Sequence, residues 1–289
     1  INQLRGDNGG TVSGRLSMSN PNLQQVPARN KEFGPLIRSL FVPEEGHKWG
    51  SFDYSQQEPR MTVHYAASIG NGYEGSTELV EAYQKASTDF HQTVADLVGI
   101  ERVQAKTIGL GLMYGMGKNK LAASLGVSKE EATVLISKYN RKVPFVKMLS
   151  DRCMQTANDK GVIRTKKGRK CRFDMWEPKD FGLYTAETFD NAVAKYGREN
   201  IKRAYTYKAL NRLIQGSSAD QTKQAMLSCY EAGHLPILQI HDELCFNISK
   251  TNKKTEVREI KKIMENCIEF KLPFVVDVKT GGSWGTAHD

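Results

Sequence analysis

Residues 1–35 carry no sustained apolar period and are punctuated by Gly, Ser, Asn and Pro, which predicts a loop-rich start. Two short apolar runs follow, IRSLFV and WGSFDY, on either side of the turn sequence PEEG. They predict a β-hairpin that ends at Asp53. From EPRMTVHYAASIG onward the apolar residues recur with a helical period. Pro59 falls in the first turn of that helix, where the backbone N–H has no intrahelical partner and proline is harmless.

Residues 76–150 keep a helical pattern with Glu- and Lys-rich outer faces. GVIRTKKGRKCRF then predicts a second hairpin with a basic turn around Gly168. The stretch from Asp174 to Lys202 is polar and mixed in charge, and is expected to be a helical excursion. KALNRLIQGSSADQTKQAMLSCYEAG returns to helical spacing. PILQIHDELCFNIS reads as a hairpin, TNKKTEVREIKKIMENCIEF as a charged amphipathic helix, and FVVDVKTGG as a closing strand. Hairpin-linked strands segregated from helices predict an α+β fold with an antiparallel sheet.

The chain has 289 residues, 39% hydrophobic and 25% charged, which is ordinary for a globular protein and argues against disorder. Its formal net charge of +9 points to a polyanionic partner, most often nucleic acid. The five cysteines form no CxxC pair, which fits reduced thiols and supplies no zinc motif. No apolar run reaches transmembrane length, so no membrane partner is expected. The chain opens with Ile1 in polar, glycine-rich sequence, and is expected to be the C-terminal piece of something longer.

Three constellations could carry chemistry. Asp53 ends one predicted strand, and His241, Asp242 and Glu243 sit at the tip of a hairpin. Charge buried in an apolar hairpin is costly unless paired, so the tip is either solvated or holds a cation. Adjacent strand residues point to opposite faces, so Asp242 rather than Glu243 would meet Asp53. Two close carboxylates repel unless protonated or bridged, and such hard oxygen donors select Mg²⁺ or Mn²⁺. In RVQAKTIGLGLMYGMG, Arg102, Lys106, Leu110 and Tyr114 recur every fourth residue and share one helix face. That stripe suits phosphates at one end and a sugar or base at the other, or else a solvated basic face. Gly109 and Gly111 each cost a helix about 1 kcal/mol, which makes sense if something approaches the backbone closely. GRLSMSNPNLQQVPAR is rich in side chains that contact phosphate, sugar and base edges, and would also serve as a polar surface loop.

TVSGRLSMSNPNLQQVPAR, FDYSQQEPR, RVQAKTIGLGLMYGMG, NRLIQGSSAD and QIHDEL stand in the order, and at roughly the separations, of motifs in the polymerase domain of family A DNA polymerases, the bacterial DNA polymerase I family. The chain resembles that domain from near residue 11 to the final GGSW. The resemblance implies a polymerase palm, with an antiparallel sheet, interrupted by a helical fingers subdomain. Residues 1–75 and 206–289 would be palm and residues 76–205 fingers. It implies a template-directed DNA polymerase that adds deoxynucleotides to a primer 3′-hydroxyl and releases pyrophosphate, using two Mg²⁺ ions or Mn²⁺. The implied partners are primer–template DNA, deoxynucleoside triphosphates, and the thumb and exonuclease parts that precede the palm in the family. Neither part is expected within these residues, and no proofreading is expected from them.

Carried over residue by residue, the resemblance makes Asp53 and Asp242 metal ligands, assisted by the Tyr54 carbonyl, with Glu243 the less critical neighbouring acid. Gln56 and Glu58 would line the nucleotide sugar, the glutamate crowding a 2′-hydroxyl. Arg102, Lys106 and His91 would contact the triphosphate. Tyr114 would occupy the templating-base position in the open state. Arg15, Asn22, Gln24, Arg29, Gln215 and His241 would lie along primer and template. Three departures stand out. Leu110 replaces the usual Phe or Tyr, and altered dideoxynucleotide handling is expected. Gln57 and Pro59 replace residues that are commonly apolar. The link between Phe173 and Tyr207 is longer than in compact members.

Two other readings share these features: a DNA-binding fragment inert without its thumb, and a single-subunit RNA polymerase, against which Glu58 argues. The expected location is the cytoplasm, associated with the nucleoid, or a phage-infected host or an organelle.

Overall fold

A computed structural model describes residues 1–3, 10–27, 30, 32–70, 72–84, 88–180, 182 and 184–288. In chain order the elements are α1 (Phe33–Ser39), β1 (His47–Tyr54), α2 (Gln57–Ala67), α3 (Ser76–Tyr83), α4 (Phe90–Val98), α5 (Arg102–Met113) and α6 (Lys118–Leu125). Next come α7 (Lys129–Lys142), α8 (Pro144–Lys160), β2 (Val162–Arg164), β3 (Lys170–Arg172), β4 (Trp176–Pro178), α9 (Phe189–Tyr196) and β5 (Ile201–Arg203). The chain closes with α10 (Ala209–Glu231), β6 (Pro236–Ile240), β7 (Glu243–Ser249), α11 (Lys253–Asn266) and β8 (Val276–Gly281). It divides into two units, Ile1–Met61 with Ser217–Asp289, and Thr62–Gly216.

The first unit is built on a four-stranded antiparallel sheet in the order β6-β7-β1-β8. Side chains alternate across it. Trp49 and Cys245 share one face in a core with Met18, Leu238, Ile240, Trp284 and Ala287. There Trp284 stacks on Trp49 at 6.3 Å and meets Phe41 edge-on at 5.5 Å. Phe52, Tyr54 and Val276 point the other way and are fully buried or nearly so. On that side α11 is tied down by Tyr54, whose hydroxyl donates to the Met264 carbonyl at 2.7 Å.

The expected hairpin of IRSLFV with WGSFDY does not form. Residues 33–39 are helix, and only the second run is a strand. Asn30 decides it locally, because its Oδ1 accepts from the N–H groups of Glu32 and Phe33. Arg38 of that helix then lies over the Trp284 ring at 4.4 Å.

Gln57 lies one residue before Glu58 at the start of α2. It is buried and makes a polar layer rather than an apolar contact, its Nε2 donating to Gln221 Oε1 at 3.1 Å and Thr222 Oγ1 at 3.3 Å.

The second unit is mainly helical. Its helices start and stop where local chemistry says they should. Ser128 and Glu131 form a capping box at the head of α7. Pro144 opens α8, and Gly161 ends it at φ +65°. The basic hairpin forms as β2 and β3, with Gly168 at φ +86° in its turn. The long link after Phe173 is only partly helical. It holds the antiparallel pair β4–β5 beside α9, with Trp176 meeting the Phe189 ring edge-on and the Arg203 guanidinium lying over the Trp176 ring.

Candidate active site

In the first unit the β-ladder gathers acidic groups. Asp53 near the end of β1 is in register with Glu243 of β7 on one side and Asp277 of β8 on the other. Asp242 is in the two-residue turn between β6 and β7, where its carbonyl accepts from the Tyr54 N–H at 3.4 Å. His241 takes the other turn position at φ +53°, a left-handed conformation uncommon for a side-chain-bearing residue. Gln239 Nε2 holds that turn by donating to the His241 carbonyl at 2.6 Å, while Gln239 Oε1 accepts from Gln24 Nε2 at 3.0 Å. Asn22 caps the short turn that carries Gln24.

The crowding shows in the acidities. Desolvation pushes the Asp53 carboxyl up to about 8, and the charges of Asp242, Glu243 and Asp277 add to it while Lys279 opposes them. Asp53 is itself exposed to solvent, so the direction of its shift rests on the neighbouring carboxylates as well as on desolvation. Asp242 also shifts upward, chiefly by burial, with Glu58 adding and its own backbone N–H, Arg15 and His241 opposing. Glu243 is buried and accepts from the Cys245 thiol at 3.4 Å.

Glu58, in the first turn of α2, is engaged by Arg15, whose guanidinium donates to Oε1 at 2.5 Å. Gln56, two residues earlier, holds φ +53°. Arg15, Gln57, Gln239 and His241 line one narrow crevice with the middle of α10.

In the second unit, Arg102, Lys106 and Tyr114 are exposed and Leu110 is half-buried, so the α5 stripe faces outward. The close approach to its glycines comes from the protein itself. A Cβ on Gly109 would meet the Tyr139 hydroxyl at 3.0 Å, and one on Gly111 the Leu121 side chain at 3.1 Å. Arg102 is held by Asp89 Oδ2 through Nε at 2.9 Å and a terminal nitrogen at 2.7 Å. Asp89 Oδ1 caps α4 by accepting from His91 and Gln92 N–H groups. Burial works against the Asp89 carboxylate, but those bonds outweigh it and hold its pKa below the usual range. His91 is buried, and desolvation lowers it to about 4, with Lys106 and Arg102 adding to the shift against Asp89. Gln215 is half-buried on α10. Arg29 lies outside the described residues.

The sequence profile of DNA polymerase family A matches residues 6–286. The chain belongs to DNA polymerase family A. It is 40% identical over 316 residues to the DNA-directed DNA polymerase of Pseudomonas phage M6, covering 96% of this chain and 44% of that protein. It is 30% identical to the thermostable DNA polymerase I of Thermus aquaticus, covering 96% of this chain and 32% of that one. Its fold matches the POL domain of Pol1 from M. smegmatis in complex with DNA primer-template and dNTP, at a TM-score of 0.78 and 30% identity. That match covers 96% of this chain and 47% of the other. The chain therefore spans less than half the length of these family A relatives.

Two residues of this family A chain escaped the motif reading. Asp89 had a signal, since an aspartate directly before an apolar-periodic helix is a cap, but nothing in the sequence tied it to Arg102. Asp277 had none, because it joins the acidic group only through β-sheet register. Among the described residues, no helix is long and apolar enough to cross a membrane.

Proposed function

We propose that this chain catalyses template-directed addition of deoxynucleotides to a primer 3′-hydroxyl, with release of pyrophosphate. The observation that carries the reading is the acidic group at the β1 and β6–β7 strand ends. Asp53 and Asp242 are both driven toward their protonated forms when no cation is beside them. A divalent cation relieves that strain, and carboxylate with carbonyl oxygen is the donor chemistry that Mg²⁺ prefers. Among the described residues no three His, Cys, Asp or Glu side chains are arranged to hold an ion by themselves, so substrate and water oxygens would complete the coordination. Two Mg²⁺ ions, or Mn²⁺, held by Asp53, Asp242 and the Tyr54 carbonyl would supply acidity to the 3′-hydroxyl and charge neutralisation to the departing pyrophosphate.

The remaining roles fall to the chain's own groups. Glu58, oriented by Arg15, crowds a ribose 2′-hydroxyl and so favours deoxynucleotides over the ribonucleotides of an RNA polymerase; Gln56 lines the same sugar. Arg102 and Lys106 neutralise the triphosphate, and Arg102 exchanges its Asp89 partner for phosphate oxygens. His91 meets the triphosphate as a neutral hydrogen-bond donor at pH 7. Leu110 packs beside the sugar, and Tyr114 holds the place of the templating base. Arg15, Asn22, Gln24, Arg29, Gln215 and His241 position primer and template, and Glu243 backs the two ligands. The first unit corresponds to the palm, and the mainly helical unit to the fingers.

The test is extension of a labelled primer on a DNA template with Mg²⁺, comparing this chain with Asp53→Asn and Asp242→Asn. Extension accompanied by stoichiometric pyrophosphate, abolished by either substitution, supports the reading. Undiminished extension by either variant overturns it.

A further inference from the structure

We propose that the outer edge of β8, with the basic face of α11 beside it, binds an acidic peptide segment in extended conformation as an added strand. β8 is an edge strand of the sheet. The Ser55 N–H donates to the Val275 carbonyl at 2.9 Å, while the Val276 N–H is taken by Glu265 Oε1 at 2.9 Å. Antiparallel pairing alternates, so the N–H and C=O groups of Val276, Val278 and Thr280 all turn away from β1. Val276 is satisfied by Glu265. The N–H groups of Val278 and Thr280 donate to no described residue, and both residues line a groove of about 610 Å³.

The far wall of that groove is α11, which contributes Lys253, Lys254, Arg258, Lys261 and Lys262 against the single acid Glu265. Lys261 is spoken for by Glu265 at 3.7 Å. Among the described residues no carboxylate lies within salt-bridge distance of Lys253, Lys254, Arg258 or Lys262. Lys254, Arg258 and Lys262 are spaced four apart on one helix face, about 6 Å from one to the next. Alternate side chains of a β-strand repeat at about 6.8 Å, so acids at every second position of an added strand would each find a cation. Val257 and Val278 give the groove an apolar floor for the stems.

The open edge offers carbonyl acceptors as well as N–H donors. A peptide backbone satisfies both, whereas a phosphodiester backbone offers acceptors only and would set its anionic oxygens against the carbonyls. That asymmetry favours peptide over nucleic acid. A second copy of this chain is disfavoured, because two such edges would bring the α11 cations together. The carboxylates Asp53 and Asp277 point to the other face of the sheet from Val278 and Thr280, so this surface is separate from the site above.

The probe is a fluorescein-labelled nine-residue peptide in which Glu alternates with Val, titrated into the 289-residue chain and followed by anisotropy. The expected result is saturable, salt-sensitive binding, weakened at least tenfold by Lys254→Glu with Arg258→Glu and lost when two valines of the peptide are replaced by proline with its charge unchanged. Hydrogen exchange at Val278 and Thr280 should slow in the complex, and a nine-nucleotide oligothymidylate should not displace the peptide. Unchanged melting of the double variant separates lost binding from lost folding. Absence of binding at millimolar peptide, equal binding of the proline peptide, or displacement by the oligonucleotide at equal concentration would each overturn the proposal.

Discussion

Replacing Gln57 by leucine puts back the kind of residue common in the family, yet it should destabilise this chain. Gln57 is 3% exposed and donates to Gln221, which is completely buried, and to Thr222. Thr222 keeps a second bond through its own hydroxyl to the Ser218 carbonyl at 3.1 Å. Gln221 has no such reserve, since its Nε2 has no hydrogen-bond partner among the described residues. Leucine at 57 would therefore strip the last bond from a buried amide, at about 1–3 kcal/mol. With a melting shift of about 2–4 °C per kcal/mol for a chain of this size, the loss should be roughly 2–12 °C. Removing both amides is different, because an apolar pair of similar shape leaves nothing unsatisfied. Gln57→Leu with Gln221→Leu should recover most of the loss, a coupling of about 1–2 kcal/mol in a double-mutant cycle. Thermal melting of the four proteins reads this directly. A neutral or stabilising Gln57→Leu, or additive single substitutions, would show that the Gln57–Gln221 bond does not hold this layer together.

Three further outcomes are expected. His91 has a folded-state pKa of about 4 against about 6.5 unfolded, so the unfolded chain takes up its proton first and stability is lost as pH falls from 6.5 to 4, by at most about 3 kcal/mol. Urea unfolding of His91→Gln at pH 7 and pH 4.5 should show a smaller loss than the parent chain, and parallel losses would contradict it. Asp89→Asn keeps a cap but frees Arg102. It should lower the KM for deoxynucleotide a few-fold at a stability cost within about 1 kcal/mol, because the ion pair is solvent-exposed; a raised KM would count against the exchange of partners. Glu58→Ala should increase ribonucleotide use, and Arg15→Ala should do so in part by releasing Glu58. Unchanged sugar selectivity in Glu58→Ala would exclude it as the gate.

Features set by short-range chemistry were legible in the sequence. The Asp242 turn, the amphipathic α11 and the helix entered just before Pro59 all declare themselves within a dozen residues, and the ordered motifs declared the family. IRSLFV misled because a six-residue apolar run fits a strand or a helix equally, and Asn30, outside the run, settles it. The missed contacts are long-range. Glu58 meets Arg15 from 43 residues away, and Gln57 meets Gln221 from 164. Asp277 joins the acidic group through the register of β8 against β1. No periodicity encodes such pairings, which exist only once the sheet and α10 are in place.

The most direct measurement offers each of the four deoxynucleotides singly to this chain on four primed templates that differ only in the templating base, with Mg²⁺ and with Asp242→Asn in parallel. Extension by one residue is expected only where the nucleotide complements the template, and none by Asp242→Asn. Extension that ignores the template, or that survives the loss of Asp242, would contradict it.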